Sequence, residues 1–456
     1  MTDPTLMHAW NERADLLAHS LVGYAVERVR LAKNPAWGAR PADELTEALT
    51  GTIAPDGLGG HEALRLFREI LVPACRPMDD PLNLAYVPTA PTNAAILFDL
   101  VVSASSIFGG NWEAGAGAIA AENQALGWLA GLAGFPIEAG GCFVSGGSAA
   151  NLSALVAARH GAIARLGLSE RPTRWRFAAT EEVHASARAA GRVMDVDLID
   201  VPTDSRGRMT GQALEEALVG AGLDGVFAVV ASAGTTNAGA IDDLSGVAEV
   251  CGRHGLWMHV DGAYGAAALC SPTARRRFAG IEFADSFSVD PHKWLFAPYD
   301  SAALVYRDPG VAAAAHTQTG EYLAEVDRTE WNPSDYAFHL SRRARGLPLW
   351  FSLATHGTDA YTAAMDKTLA TARAFATAVD GHPRFELLLD PDLSVVLFRR
   401  TGWGIDEYRR WSQTRSAAGT ALIVPTTWHA EPCFRICVVN PLTEIEDLIA
   451  LLTDME

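Results

Sequence analysis

The run Asp290-Pro291-His292-Lys293-Trp294-Leu295-Phe296 holds the most chemically suggestive residues of this chain. Lys293 directly follows a histidine, in a Trp/Phe-rich segment that closes the run 285–289, so its amine is expected to lose solvation. Desolvation lowers a lysine pKa and makes the amine a nucleophile able to form an imine with an aldehyde. Alone, Lys293 would read as an ordinary surface lysine. Its neighbours in the sequence argue otherwise.

Residues 143–151 read as a strand end, a glycine turn and a helix start. The amides at Gly147 and Ser148 then form an anion site suited to a phosphate, although Ser148 is also readable as a helix N-cap. His184 falls in the first turn of a further helix, at the edge of an α/β sheet where ligands bind, or else is structural. Thr236 sits in a hydroxyl- and glycine-rich loop at that same edge. Asp261 ends a strand, where it can pair with a cationic ring nitrogen while Ala263 lets the ring lie flat; the alternative is a helix N-cap. A phosphate cradle, a stacking imidazole, a carboxylate for a pyridinium and an imine-forming lysine are together what pyridoxal 5'-phosphate requires. A nucleotide site is disfavoured, because the chain has neither GxGxxG nor GxxxxGK[ST].

These residues need elements to position them. Residues 225–231 and 256–260 read as buried strands, joined by a helix over 244–254 that Gly255 closes in a left-handed cap. Strand, helix, strand at that length implies a parallel βαβ unit, and several in series imply a doubly wound α/β domain. Before it, residues 8–33 are amphipathic at helical spacing, prolines and the Gly57-Leu58-Gly59-Gly60 cluster break the chain, and a helix follows over 62–71. Residues 1–80 therefore read as a helical arm, 81–335 as the large α/β domain and 336–456 as a small α+β domain. In the last, helices over 347–367 and 369–379 precede strands over 394–399 and 434–439 and a helix over 444–452.

The formal charge of −18 over 456 residues argues against a nucleic-acid groove or an anionic membrane partner. The first residues have no basic and apolar leader pattern, and no apolar run is long enough for a membrane span. Six scattered cysteines without zinc spacing read as free thiols in a reducing cytoplasm.

In order and spacing, these motifs resemble the pyridoxal-phosphate-dependent amino-acid decarboxylases of the aromatic-L-amino-acid, glutamate and cysteine-sulfinate type. Landmarks at Tyr86-Val87-Pro88-Thr89, at 280–286 and at 340–347 extend the resemblance over nearly the whole chain. It implies a fold type I pyridoxal-phosphate enzyme, a homodimer with active sites at the interface. By this resemblance Lys293 carries the cofactor, His184 stacks on its ring, and Asp261 binds the pyridine nitrogen with Ala263 on the opposite face. Gly147 and Ser148 hold the phosphate with help from Asp290, and Thr236 lies near the ring hydroxyl and substrate carboxylate. His292 helps to position the substrate, which Tyr86, Pro88 and Thr89 border. Tyr322 matches a tyrosine that serves as acid, within a stretch 313–327 expected to be a mobile loop. Phe108, Gly110 and Asn111 would serve the neighbouring chain's pocket. Two departures bear on substrate identity: Met78-Asp79-Asp80-Pro81 replaces a His-Pro-like element, and Gly110 stands where aromatic-specific relatives carry a bulky ring. The expectation is decarboxylation of an aromatic or medium-sized apolar L-amino acid to its amine, since 83–92 and 107–113 offer no Lys or Arg; Arg435 and the arginines of 342–345 are the other candidate cations. The alternatives are oxidative decarboxylation to an aldehyde, a carbon–carbon lyase, and a catalytically silent interaction protein.

Overall fold

Seven strands build the sheet that carries the site: β1 (Gly140–Val144), β2 (Arg176–Thr180), β3 (Asp197–Val201), β4 (Val226–Ser232), β5 (Trp257–Asp261), β6 (Ser286–Val289) and β7 (Ala302–Tyr306). The structure is a computed structural model that describes residues 4–31, 38–167, 169–321 and 329–456. The strand order is β1-β7-β6-β5-β4-β2-β3. Pairs from β3 through β6 are parallel, and β7 runs antiparallel to both its neighbours. This is the fold type I, doubly wound α/β architecture.

Every residue of β4 and β5 is buried, as expected for parallel strands covered on both faces. The two-residue period divides β4 between two cores. Val229 and Ala231 join Leu214, Val247 and Val250 on one face. Ala228 and Val230 join Ala150, Leu155 and Ala158 of the helix Gly147–Arg165 on the other. The helix Leu244–His254 links the two strands. It is capped by Asp243, whose side chain accepts from the Gly246 amide, and it ends at Gly255 with φ 65°.

The second sheet, of order β10-β11-β9-β8, is antiparallel: β8 (Phe385–Leu387), β9 (Val395–Arg400), β10 (Pro425–Trp428) and β11 (Glu431–Cys437). The helix Thr358–Asp380 serves both cores, with Tyr361, Met365 and Leu369 toward the large one and Ala372, Phe375 and Ala376 toward the small. Leu84 exchanges backbone hydrogen bonds with Leu422 and Cys437, which ties the segment before Tyr86 to the small sheet.

Some boundaries differ from expectation. The helix pair after 346 breaks at Gly357, φ 77°, giving Leu347–His356 and Thr358–Asp380, because a glycine turn outweighs the apolar periodicity that runs through it. The first α-helix spans Glu12–Val29, capped by Asn11, rather than 8–33. None of the helices Glu12–Val29, Ala42–Ala48 and Gly60–Leu66 buries a residue. Among the described residues, no helix is long and apolar enough to cross a membrane.

Candidate active site

The carboxyl ends of β1, β2, β4, β5 and β6 converge on one edge, and the chemistry expected from the sequence lies there. After β1, Gly146 precedes the helix Gly147–Arg165 with no side-chain cap of its own, and the first helical amide, that of Gly147, donates to Asp290 Oδ2. Ser148 is thus inside the helix and is not its N-cap. A Cβ at Gly147 would come 2.9 Å from Ala263 Cβ and 3.3 Å from Asp290 Oδ2. Glycine is what the close approach requires.

Asp261 ends β5 and is nearly buried. Its Oδ1 accepts from the Ala263 amide at 3.1 Å and its Oδ2 from Asn151 Nδ2 at 2.8 Å. The N-cap alternative fails, because no helix begins at Asp261: the next turn starts at Gly265. His184 follows β2 as the N-cap of the helix Ala185–Met194, one position before the first turn. Its Nδ1 lies 2.8 Å from Ser186 Oγ.

Lys293 follows β6 in the short helix Pro291–Trp294. Buried Trp294 anchors this turn by stacking on Tyr264 at 5.2 Å and donating to Thr368 Oγ1 at 3.1 Å. Lys293 Nζ lies 3.0 Å from Asp290 Oδ2, which also accepts from the Gly147 amide at 3.2 Å. Here the sequence-based expectation needs correction. Burial does push the Lys293 pKa down, but Asp290 and Asp261 together more than offset it, and the net shift is upward. Among protein groups alone, the amine is held as an ammonium. His292 is the reverse case: burial outweighs Asp290 and lowers its pKa. Its Nδ1 accepts from the Ser301 amide at 3.1 Å.

Thr236, His184 and Tyr86 line one cavity of about 390 Å³, together with Arg435, Glu181 and Glu182. Arg435 is buried on β11; its Nη1 donates to the Tyr86 carbonyl, while Nε and Nη2 have no hydrogen-bond partner among the described residues. The arginines of 342–345 are instead committed to Glu122, Asp99 and Asp300. Pro88 and Thr89 are buried beside the lysine segment, and the Thr89 hydroxyl donates to the Ala297 carbonyl at 3.4 Å, so Tyr86 alone of that trio borders the cavity. Phe108 and Gly110 do not line this cavity. A Cβ at Gly110 would meet the Phe108 ring at 2.5 Å and the Leu340 carbonyl at 2.7 Å, which explains a glycine there without reference to substrate. Tyr322 lies outside the described residues, and the stretch expected as a loop from 313 begins inside the helix Pro309–His316.

The sequence reading missed Asn151, Ser186 and His259, which stand behind Asp261 and His184. A signal existed for His259: two residues before Asp261 on a strand, it shares that residue's face.

A family model described as a pyridoxal-dependent decarboxylase conserved domain matches residues 61–401. The chain belongs to this family. It is 30% identical over 437 residues to an aromatic-L-amino-acid decarboxylase of Bacillus atrophaeus, covering 92% of this chain and 90% of the relative. An aromatic-L-amino-acid decarboxylase of Cavia porcellus is 33% identical over 355 residues, 73% of this chain and 74% of its own. A crystal structure of Oryza sativa TDC with PLP and tryptamine superposes with a TM-score of 0.90 at 25% identity, over 100% of this chain and 98% of that one. The protein is a pyridoxal-phosphate-dependent amino-acid decarboxylase.

The residues present fit the cofactor. The uncapped helix start and the glycine at 147 suit a phosphate, doubly bonded Asp261 suits a cationic ring nitrogen, and Ala263 keeps one ring face low. Buried Asp290 Oδ1 and Ser288 Oγ lack partners among the described residues, as polar atoms beside a ligand site do. One feature is discordant: Asp290 sets a carboxylate, where an amide would suit a phosphate better, against the Gly147 amide.

Proposed function

We propose that the protein is a homodimeric cytoplasmic enzyme that converts an aromatic or medium-sized apolar L-amino acid to its amine and CO2. The observation that carries this reading is the cavity composition. Arg435 is the cation at the cavity wall and would draw a substrate carboxylate, Tyr86, Val424 and Pro425 supply apolar surface, and Glu181 and Glu182 set negative charge at the same wall. Those carboxylates disfavour an acidic substrate side chain. The aromatic substrates in the relatives' names agree with the preference.

In this reading, pyridoxal phosphate supplies the electron sink that makes loss of CO2 possible. Lys293 would carry the cofactor, and Asp290 pairs with its ammonium before the cofactor is bound. Gly147 and Ser148 hold the phosphate through backbone amides. Asp261 keeps the ring nitrogen protonated, as a fixed anion at that edge does. His184 covers one face and Ala263 the other, while Thr236 and His292 orient polar groups at the rim. Tyr322 delivers the proton to the substrate Cα, because a positioned phenol outruns an encounter with oxygen.

Two observations support the dimer. The arm leaves Leu16, Leu21, Val22 and Phe67 exposed, and the helix Asn93–Ala104 leaves Leu97, Leu100 and Val101 exposed, an apolar area of the kind a second chain covers. Gly109 and Gly110 are hydrogen-bonded to Arg342 and Ser334 of their own chain, and Phe108 and Gly110 do not line its cavity, which suits a role in the neighbouring pocket. The absence of disulfides among the six cysteines fits a reducing compartment.

The test is a panel of L-amino acids assayed for CO2, amine and aldehyde. Aromatic substrates should turn over fastest, and Arg435→Ala should lower kcat/KM for them roughly a hundredfold, on the order of a lost charge-assisted contact. Faster turnover of glutamate or aspartate would overturn the substrate assignment. With Tyr322→Phe the product should shift to aldehyde and ammonia with oxygen uptake; unchanged amine output removes Tyr322 from its role.

A further inference from the structure

Behind the site runs a buried, branched chain of hydrogen bonds. Trp257 Nε1 donates to Ser286 Oγ at 2.9 Å, and Ser286 Oγ lies 2.8 Å from His259 Nδ1. His259 Nε2 lies 2.9 Å from Asn151 Oδ1. From Asn151 Nδ2 one hydrogen goes to Asp261 Oδ2 at 2.8 Å and the other to Ser186 Oγ at 2.9 Å. Ser186 Oγ in turn lies 2.8 Å from His184 Nδ1. Asn151, His259 and Ser286 are fully buried, so no water competes for these bonds.

With Asp261 ionised, one placement of the hydrogens satisfies every member. The indole can only donate and a carboxylate can only accept. Asn151 must therefore turn Nδ2 to Asp261, since the flipped amide would set its oxygen against the carboxylate. Its Oδ1 then faces His259, so His259 donates from Nε2. His259 Nδ1 accepts from the Ser286 hydroxyl, whose oxygen takes the indole hydrogen. Ser186 receives the second Asn151 hydrogen and donates its own to His184 Nδ1, which also takes the Ser186 amide at 3.3 Å. A neutral His184 is left with its hydrogen on Nε2. Burial supports the scheme by pushing the His259 pKa down to about 4, against the opposing pull of Asp261, so this imidazole stays neutral with a single N–H to give.

We infer that Asn151 is a positioning residue that sets two cofactor-facing groups at once: it holds Asp261 as an aligned anion, and through Ser186 it fixes His184 as the tautomer with hydrogen on Nε2. The inference rests on the roles proposed above for Asp261 and His184. Asn is suited to it because one planar group gives two hydrogens from Nδ2 and accepts one on Oδ1. An aspartate there would set a second carboxylate against Asp261. An alanine would leave His259 and Asp261 each short of a partner.

The experiment compares holoenzymes of Asn151→Ala, Asn151→Asp, Ser186→Ala and Asp261→Asn by visible absorbance against pH, cofactor affinity, kcat and KM. For Asn151→Ala the pH midpoint of the visible band should move by about one unit, a tenfold change in the coupled equilibrium. Its kcat should fall about tenfold or more with KM nearly constant. Asn151→Asp should be worse at pH 8 and recover toward pH 6 as the added carboxyl takes a proton. Ser186→Ala cuts the His184 branch alone, so it should lower kcat/KM with the absorbance midpoint unmoved. A wild-type midpoint and kcat in Asn151→Ala overturns the inference, and so does a Ser186→Ala that shifts the midpoint as far as Asn151→Ala does. Should Asp261→Asn itself keep near-wild-type kcat, the assignment of Asp261 is what fails.

Discussion

The amino-terminal arm and the strand-edge site are both built of residues whose pattern calls for partners, and they meet that demand in opposite ways. In the arm, Leu16, Leu21 and Val22 lie 55%, 48% and 57% exposed on a helix with no buried residue. At the strand edge, Asn151, His259 and Ser286 are wholly buried and bonded to one another. The site groups find their partners within one chain, because parallel strands bring their ends into register: Asp261 of β5 pairs with Ser288 of β6 and with Ser232 of β4. The arm's apolar face has no such cover among the described residues, and in the dimer proposed above a second chain would supply it. Rigidity thus belongs to the chemical centre, and assembly to the arm.

The largest test of that contrast is Lys293→Ala. It should abolish the visible absorbance of the loaded enzyme and lower turnover by a thousandfold or more, with the dimer intact. Borohydride labelling of the wild type followed by peptide mapping checks the assignment, and a label on another lysine ends it. Next is Asp261→Asn, for which kcat should fall roughly a hundred- to a thousandfold, the scale of a lost electrostatic stabiliser. A loss smaller than about tenfold, roughly 1.4 kcal/mol, contradicts the role.

An arm variant should behave differently in kind. Leu21→Glu with Val22→Glu should raise the dimer dissociation constant at least a hundredfold, since each buried apolar side chain contributes ~1.5–3 kcal/mol. Specific activity would then depend on protein concentration, whereas that of the site variants would not; sedimentation across a dilution series separates the two. Equal sedimentation of variant and wild type would show that this face is not the dimer contact.

The smallest expected effect sharpens the picture of Lys293. Asp290 is the largest influence raising its pKa, so Asp290→Asn should lower that pKa. Reaction with the cofactor needs the neutral amine, and a lower pKa makes that form more abundant at pH 7. Reconstitution of the apoenzyme should therefore speed up several-fold, toward the roughly tenfold that one pKa unit gives, with its pH midpoint moved down. A midpoint moved up would show that Asp290 does not hold the ammonium.

The sequence by itself determined the parts that depend on local pattern. Apolar runs read at 225–231 and 256–260 became β4 and β5, each shifted by one residue, Gly255 closed the helix between them, and Gly147, His184, Asp261 and Lys293 fell at or just past strand ends or at helix starts. A strand's burial and a helix cap are set by residues a few positions apart, so both are legible in one dimension. The tertiary structure alone decided the charge on Lys293, the partners of Asp261 and the cation in the cavity. Asn151 reaches Asp261 across 110 residues and Arg435 reaches Tyr86 across 349. A pKa or a tautomer follows from distances of a few ångströms between such groups, and those distances exist only once the sheet has brought its strand ends together.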